Sequence, residues 1–113
     1  MVKRSKKPVT FYKIWIEPEV YKAKDILPGK IRQRIKREID HLAEIPRPDQ
    51  SQTLDTEDLD VPLNTEIRRL RLDQWRVIYA LNDKEKWIWV LAIRQRPPYD
   101  YQDLPQIVAN VTK

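Results

Sequence analysis

Apolar and polar residues alternate near the start of the chain. Residues 9–16, VTFYKIWI, alternate and are rich in β-branched and aromatic types, which predicts a half-buried strand. Pro18 suits the first turn of a helix running from about Glu19 to Leu27. The Pro28-Gly29 pair then predicts a turn.

From Lys30 to Glu44 the apolar period changes to that of a helix. The apolar residues follow one another at intervals of four, four and three positions, and they are Ile31, Ile35, Ile39 and Leu42. Basic residues cover the remaining surface, and Pro46 and Pro48 end the helix. Two helices joined by so short a turn predict an antiparallel helical hairpin.

Three further segments have strand composition and short connections. They are Glu66 to Leu72, Trp75 to Leu81 and Lys86 to Ile93, and they predict an antiparallel meander. A short helix follows from Asp103, its N-cap candidate, to Val111. The order β-α-α-β-β-β-α predicts an α+β fold, with a helical hairpin on a mostly antiparallel four-stranded sheet that includes the first strand.

The segment 46–65 is predicted to be an acidic loop. Residues 46–63 hold five acidic residues against Arg47 alone, a local balance of −4 in a chain of net charge +5. The rest of the chain is therefore strongly basic, which favours a polyanion or an acidic protein as partner. The loop is also long enough to shield such a basic surface.

The composition limits the remaining possibilities. A chain of 113 residues predicts one domain, 1–113, with a basic tail at 1–8. The absence of cysteine excludes disulfides and thiolate chemistry, and a single histidine argues against a zinc site, so neither a cofactor nor a metal is expected. No long apolar stretch is present, which predicts a cytoplasmic protein that does not cross a membrane.

Three motifs in order carry a family resemblance. They are PGKIRQRIKREIDHLAEIPRP, RRLRLDQWRVIYALND, and IWVLAIRQR with a tyrosine shortly after it. Over roughly residues 10–102 the chain resembles the RelE/ParE toxin superfamily. The resemblance implies a fold like that of microbial ribonucleases. It also implies a toxin that either cleaves mRNA on the ribosome without a metal ion or poisons DNA gyrase.

The resemblance also implies a set of catalytic residues. Arg76 matches the arginine that contacts the scissile phosphate, and Arg69 matches a basic catalytic position. Strand alternation places Arg76 on one face with Ile78 and Ala80, and it places Arg69 on the same face as Arg71. Strand pairing would bring these arginines together, and guanidinium groups suit a phosphate because they bind it through two donors.

The end of the last strand contributes the rest of the predicted site. Arg96 matches a family arginine, and Arg94 lies on its face two residues earlier. Pro97 and Pro98 stiffen the turn before Tyr99 and Tyr101. We expect Tyr101 to be catalytic, and Arg94 and Tyr99 to bind substrate, because a tyrosine ring stacks on a base or takes part in proton transfer.

The matched positions offer no proton acceptor, because arginine stays protonated at neutral pH. Glu66 and Glu57 are possible substitutes, while His41 is predicted to pack or cap its helix. Three functions therefore stay open: a metal-independent endoribonuclease that cleaves mRNA on the ribosome, a gyrase inhibitor, and an inactive relative that only binds. In each case the resemblance implies a cognate antitoxin, with which the chain would form a hetero-oligomer.

Overall fold

The computed structural model describes residues 11–111. Its elements are β1 (Lys13–Ile16), α1 (Pro18–Asp25), α2 (Gly29–His41), β2 (Ser51–Thr53), β3 (Thr65–Leu72), β4 (Trp75–Asn82), β5 (Trp87–Gln95) and α3 (Leu104–Ala109). The predicted α+β class and the order of the long elements are confirmed. The first strand is shorter than predicted, since Phe11 and Tyr12 lie outside it and residues 9 and 10 lie outside the described part.

The strands form one sheet in the order β1-β5-β4-β3-β2. β1 pairs with β5 in parallel, and all other neighbours are antiparallel. The predicted count of four strands is wrong, because β2 forms within the segment 46–65 that was predicted to be a loop. Its three residues, Ser51, Gln52 and Thr53, are polar and too few to show alternation, so only pairing with β3 reveals the strand.

The helical hairpin covers one face of the sheet, as predicted. Val20 of α1 and Ile35 and Ile39 of α2 pack in one cluster with Val77 and Tyr79 of β4. α2 ends at His41 instead of Glu44, and the backbone N–H of Tyr12 donates to the carbonyl of Ala43 just beyond it. This first core uses the odd-numbered residues of β4.

The terminal helix covers the opposite face. Leu104, Ile107 and Val108 of α3 pack with Ile78 and Ala80, the even-numbered residues of β4. Asp103 occupies the N-cap position but its side chain makes no capping hydrogen bond, contrary to the expected role. The sheet is thus sandwiched, and α3 covers only part of its second face. No helix within residues 11–111 has the length and apolar character needed to span a bilayer.

Candidate active site

A pocket of about 340 Å³ lies on the α3 side of the sheet, beyond the end of the apolar core. Its lining comprises four arginines, one tyrosine and two residues of the acidic segment 46–65. They are Arg69, Arg71, Arg76, Arg96, Tyr101, Gln52 and Leu54. All five residues predicted to be catalytic therefore line one pocket. Their chemical roles remain a prediction.

Strand register brings the arginines together. Arg71 lies opposite Arg76 across β3 and β4, and Arg76 lies opposite Arg94 across β4 and β5. Directly opposed residues in antiparallel strands have Cα atoms about 4.5 to 5.5 Å apart and project on the same face. Three arginines thus stand in one row across three strands, and the mutual repulsion of the two that line the pocket, Arg71 and Arg76, favours a bound anion.

The pocket arginines have only neutral partners. Arg69 donates to Gln50 O at 3.2 Å and to Gln52 Oε1 at 2.6 Å, and Arg76 donates to Asp73 O at 2.8 Å. Within residues 11–111 no carboxylate pairs with Arg69, Arg71, Arg76 or Arg96. The expected shielding of the groove by the acidic segment therefore involves no ion pair to these four side chains.

Arg96 and Tyr101 form the far wall. The Arg96 guanidinium carbon lies 5.4 Å from the centre of the Tyr101 ring, and Nη1 donates to Tyr99 O at 3.2 Å. Tyr101 has a φ of 68°, a left-handed conformation that is costly for a bulky residue. Such backbone strain concentrates at functional sites, where surrounding contacts hold it in place. The ring of Tyr101 is thus held beside the four guanidinium groups.

Arg94 and Tyr99, predicted to bind substrate, do not line this pocket. Arg94 Nη2 lies 3.0 Å from Asp103 Oδ2 and 3.9 Å from Glu19 Oε2, so its charge is already compensated. The Tyr99 hydroxyl donates to Asp103 Oδ1 at 2.5 Å, and burial together with this hydrogen bond raises the pKa of Tyr99. The geometry makes these two residues a support for α3 and for the neighbouring Arg96–Tyr101 pair.

Gln52 and Leu54 are the pocket residues that sequence reasoning missed. Gln52 lies opposite Arg69 in the β2–β3 pairing, and its side-chain oxygen accepts from that arginine. An arginine can only donate, so the amide nitrogen of Gln52 is left to donate to a ligand. The sequence signal was weak, since an isolated glutamine in an acidic segment has no distinguishing pattern.

Comparison with known proteins points to one kind of fold. The sequence matches no protein-family model and no curated protein. A chain of the archaeal RelE–RelB complex from Pyrococcus horikoshii is 28% identical, with a TM-score of 0.68 over 79% of this chain and 99% of that one. A chain of a RelBE toxin–antitoxin complex from Mycobacterium tuberculosis is 16% identical, with a TM-score of 0.60 over 76% of this chain and 99% of that one.

A mutant of the Escherichia coli toxin RelE in the free state is 14% identical, with a TM-score of 0.56 over 90% of this chain and 95% of that one. The chain has a RelE-like toxin fold. The predicted resemblance is confirmed at the level of the fold.

Within this RelE-like fold the candidate proton acceptors lie away from the arginine pocket. Glu66 projects on the other face of β3, where it pairs with Arg47 at 2.7 Å and Arg68 at 2.6 Å. His41 is exposed in the last turn of α2, also on the other side of the sheet, so of its two predicted roles, packing and capping, the packing role is wrong. Glu57 is exposed and lies outside the pocket lining.

The RelE-like fold therefore presents a pocket suited to binding and polarising an anion. Its side chains supply several guanidinium donors, one amide donor and one aromatic ring, and from the part of the chain that the structure describes neither a carboxylate nor an imidazole lines it. Guanidinium donors stabilise charge that develops on phosphate oxygens. A phosphodiester flanked by a base that stacks on Tyr101 matches this set of groups.

Proposed function

We propose that this protein is the toxin of a toxin–antitoxin pair and acts as a metal-independent endoribonuclease that cleaves mRNA on the ribosome. The observation that carries the proposal is the convergence on one pocket of a tyrosine and four arginines that have no carboxylate partner within residues 11–111, namely Tyr101, Arg69, Arg71, Arg76 and Arg96. The similarity to RelE chains in complexes with RelB supports the toxin class.

The chemistry is an internal attack within the RNA. The 2′-oxygen of one nucleotide bonds to the adjacent phosphorus, the bond from phosphorus to the 5′-oxygen breaks, and a 2′,3′-cyclic phosphate and a 5′-hydroxyl result. Arg71 and Arg76, opposed across two strands, bind the non-bridging oxygens and stabilise their developing charge. The 2′-hydroxyl proton passes to water, and water protonates the leaving oxygen, since no carboxylate or imidazole among the described residues lines the pocket.

Two neighbouring residues position the substrate. Tyr101 stacks on a base beside Arg96, an interaction worth about 1 to 3 kcal/mol per base. Arg69, whose donors are already shared with Gln50 and Gln52, holds the phosphate on the β2 side. Binding at this groove depends on charge, so it weakens as salt concentration rises.

The partners follow from the same surface. A cognate antitoxin would form a hetero-oligomer with the toxin and cover the arginine pocket with an acidic or amphipathic segment. The similar chain from Pyrococcus horikoshii belongs to a RelE–RelB complex, which supports such a partner for this chain. Messenger RNA and the ribosome are the proposed targets once the antitoxin is removed.

The test uses purified protein with translating ribosomes in a magnesium-containing buffer, because ribosomes dissociate when their magnesium is removed. We expect new 5′-hydroxyl ends within reading frames, mapped by primer extension, and their loss in Arg76→Ala. Arg37→Ala is the matched control, because Arg37 is exposed on α2, on the other side of the sheet. Intact mRNA with the wild-type protein would refute the nuclease proposal.

A gyrase inhibitor is the second candidate. Residues 11–111 contribute no carboxylate or imidazole to the pocket lining, which favours it, because inhibition by binding needs no proton acceptor. A supercoiling assay separates the two: a block of gyrase with intact RNA selects the inhibitor. If neither RNA nor gyrase is affected and expression leaves growth normal, the protein is a relative that only binds its partner.

A further inference from the structure

A second pocket, of about 480 Å³, lies at the β1 edge of the sheet, away from β2. We name it the tryptophan pocket, and its lining comprises Trp15, Ile16, Glu17, Trp87, Trp89 and Val111. Trp15 lies directly opposite Trp89 in the parallel pairing of β1 with β5. The arginine pocket shares no lining residue with it, so its role is independent of the proposed nuclease.

Three of the six lining residues are tryptophans. The Trp87 and Trp89 rings meet edge to face, with centres 6.2 Å apart, and Trp15 is 54% exposed. The face of an indole ring is electronegative and attracts cations more strongly than the other aromatic side chains do. One of these rings already has a cationic neighbour, since Lys13 Nζ lies 5.9 Å from the centre of Trp15.

The pocket also contains a carboxylate without a cationic partner. Glu17 is half-buried, and its Oε2 accepts from the indole nitrogen of Trp89 at 2.7 Å. Within residues 11–111 no lysine, arginine or histidine pairs with Glu17, whereas Glu19 lies 3.9 Å from Arg94. A partly desolvated carboxylate is stabilised by a cation, and here the aromatic walls attract the same charge.

The surroundings indicate a polypeptide as the source of that cation. β1 is the edge strand of the sheet, and within the described residues no strand pairs with its outer side. Trp15 is 54% exposed, and Phe11, two residues before β1, is 59% exposed, so apolar side chains at and before this strand lie open to solvent. A small ammonium ion would leave this surface in water, whereas residues flanking a bound side chain would cover it.

We propose that the tryptophan pocket binds an arginine or lysine side chain of a partner polypeptide. The cation lies between the Trp87 and Trp89 rings and the Glu17 carboxylate, and apolar residues beside it pack on Trp15. Its charge preference is opposite to that of the arginine pocket. One chain therefore offers a site for an anion and a separate site for a cation.

The test follows the indole N–H signals of Trp87 and Trp89 by NMR during titration of the full chain with the tripeptide acetyl-Leu-Arg-Leu-amide. We expect saturable shifts, and about tenfold weaker binding to Glu17→Gln because a charge-assisted contact is lost. Glu44→Gln is the matched control, an exposed glutamate outside the pocket, and it should bind as the wild type does. Trp15→Leu, which changes a largely exposed side chain, should also weaken binding if Glu17→Gln does not fold.

Three outcomes would overturn the proposal. Equal affinity for a peptide with norleucine in place of arginine would mean that the pocket recognises apolar groups only. Equal affinity for tetramethylammonium would mean that a small cation is its ligand. A shift of the indole signals on deletion of residues 1–8, with tighter peptide binding, would mean that the chain's own basic tail is the occupant.

Discussion

Two adjacent arginines on β3 have opposite surroundings. Arg68 is 9% exposed and donates to Ser51 Oγ at 2.9 Å and to Glu66 Oε2 at 2.6 Å. Arg69 projects on the opposite face into the arginine pocket, where its partners are a backbone carbonyl and the side-chain amide of Gln52. The charge of Arg68 is thus neutralised within the fold, whereas the charge of the adjacent Arg69 is left available for a ligand.

The short strand β2 makes this difference. Ser51 and Thr53 project toward Arg68, whereas Gln52 projects toward Arg69. Burial would raise the pKa of Glu66, but hydrogen bonds from Thr53, Arg47 and Arg68 outweigh it and lower that pKa. The Glu66 carboxylate pairs with Arg68, whereas among residues 11–111 the partners of Arg69 are a carbonyl and an amide. This difference decides which arginine stabilises the fold and which can bind an anion.

The largest expected effect is on activity in the arginine pocket. Arg76→Ala should lower the rate of RNA cleavage by about 100-fold or more, since it removes a donor to the developing phosphate charge. Its free energy of unfolding should change by less than about 1 kcal/mol, because Arg76 has no carboxylate partner in the described structure. Cleavage assays and urea denaturation measure the two quantities, and loss of stability without loss of cleavage would contradict this expectation.

On the face of β3 that carries Arg68, opposite the arginine pocket, the expected effect is on the free energy of unfolding. Arg68→Ala should lower the free energy of unfolding by about 3 kcal/mol, because it leaves Glu66 partly buried with fewer donors. Arg69→Ala, the adjacent control, should lower it by less than about 1 kcal/mol. Adding Glu66→Gln to Arg68→Ala should recover part of the loss. Equal destabilisation by the two alanine variants in urea would remove the distinction between the faces.

The next largest expected effect is the stabilisation of the folded protein by an anion bound in the arginine pocket. Inorganic phosphate should raise the melting temperature of the wild type, by the equivalent of about 1.4 kcal/mol when its concentration is ten times its Kd. Arg71→Gln should reduce this gain, because Arg71 lines the pocket and has no carboxylate partner among residues 11–111. Arg37→Gln serves as the control outside the pocket. An unchanged phosphate effect in Arg71→Gln would place the anion elsewhere.

The smallest effect concerns pH and the carboxylates near Arg47. Hydrogen bonds from Arg47 and Tyr12 lower the pKa of Asp83, and the pKa of Glu66 is lowered as well. A carboxyl group whose pKa is lower in the folded than in the unfolded protein stabilises the fold. This contribution is present above a pH of about 4 and is lost as the pH falls through the folded-state pKa. The contribution should be about 1 kcal/mol or less, since the Asp83 side chain is 48% exposed. Thermal melts below pH 4 should show a smaller pH dependence for Asp83→Asn; the same slope as the wild type would show that Asp83 contributes nothing.

Much of this architecture follows from periodicity alone. The alternation that places Arg76 on the face of Ile78 and Ala80, opposite Trp75 and Val77, is observed in the two cores. The long strands and the α2 stripe were predictable because a half-buried strand or helix must repeat its apolar positions at a fixed period. β2 was missed because three polar residues acquire strand structure only from the backbone of β3.

The sequence by itself determined the order of the long elements and the face on which each β3 and β4 side chain projects. It did not determine which arginines remain without a counter-charge. Arg94 was predicted to bind substrate, but the carboxylate of Asp103, nine residues later in the chain, compensates its charge. Arg68 likewise donates hydrogen bonds to Glu66 and Thr53. Only the tertiary structure decides such pairings, because ion pairs form between side chains that loops and sheet register bring close, and periodicity carries no information about that distance.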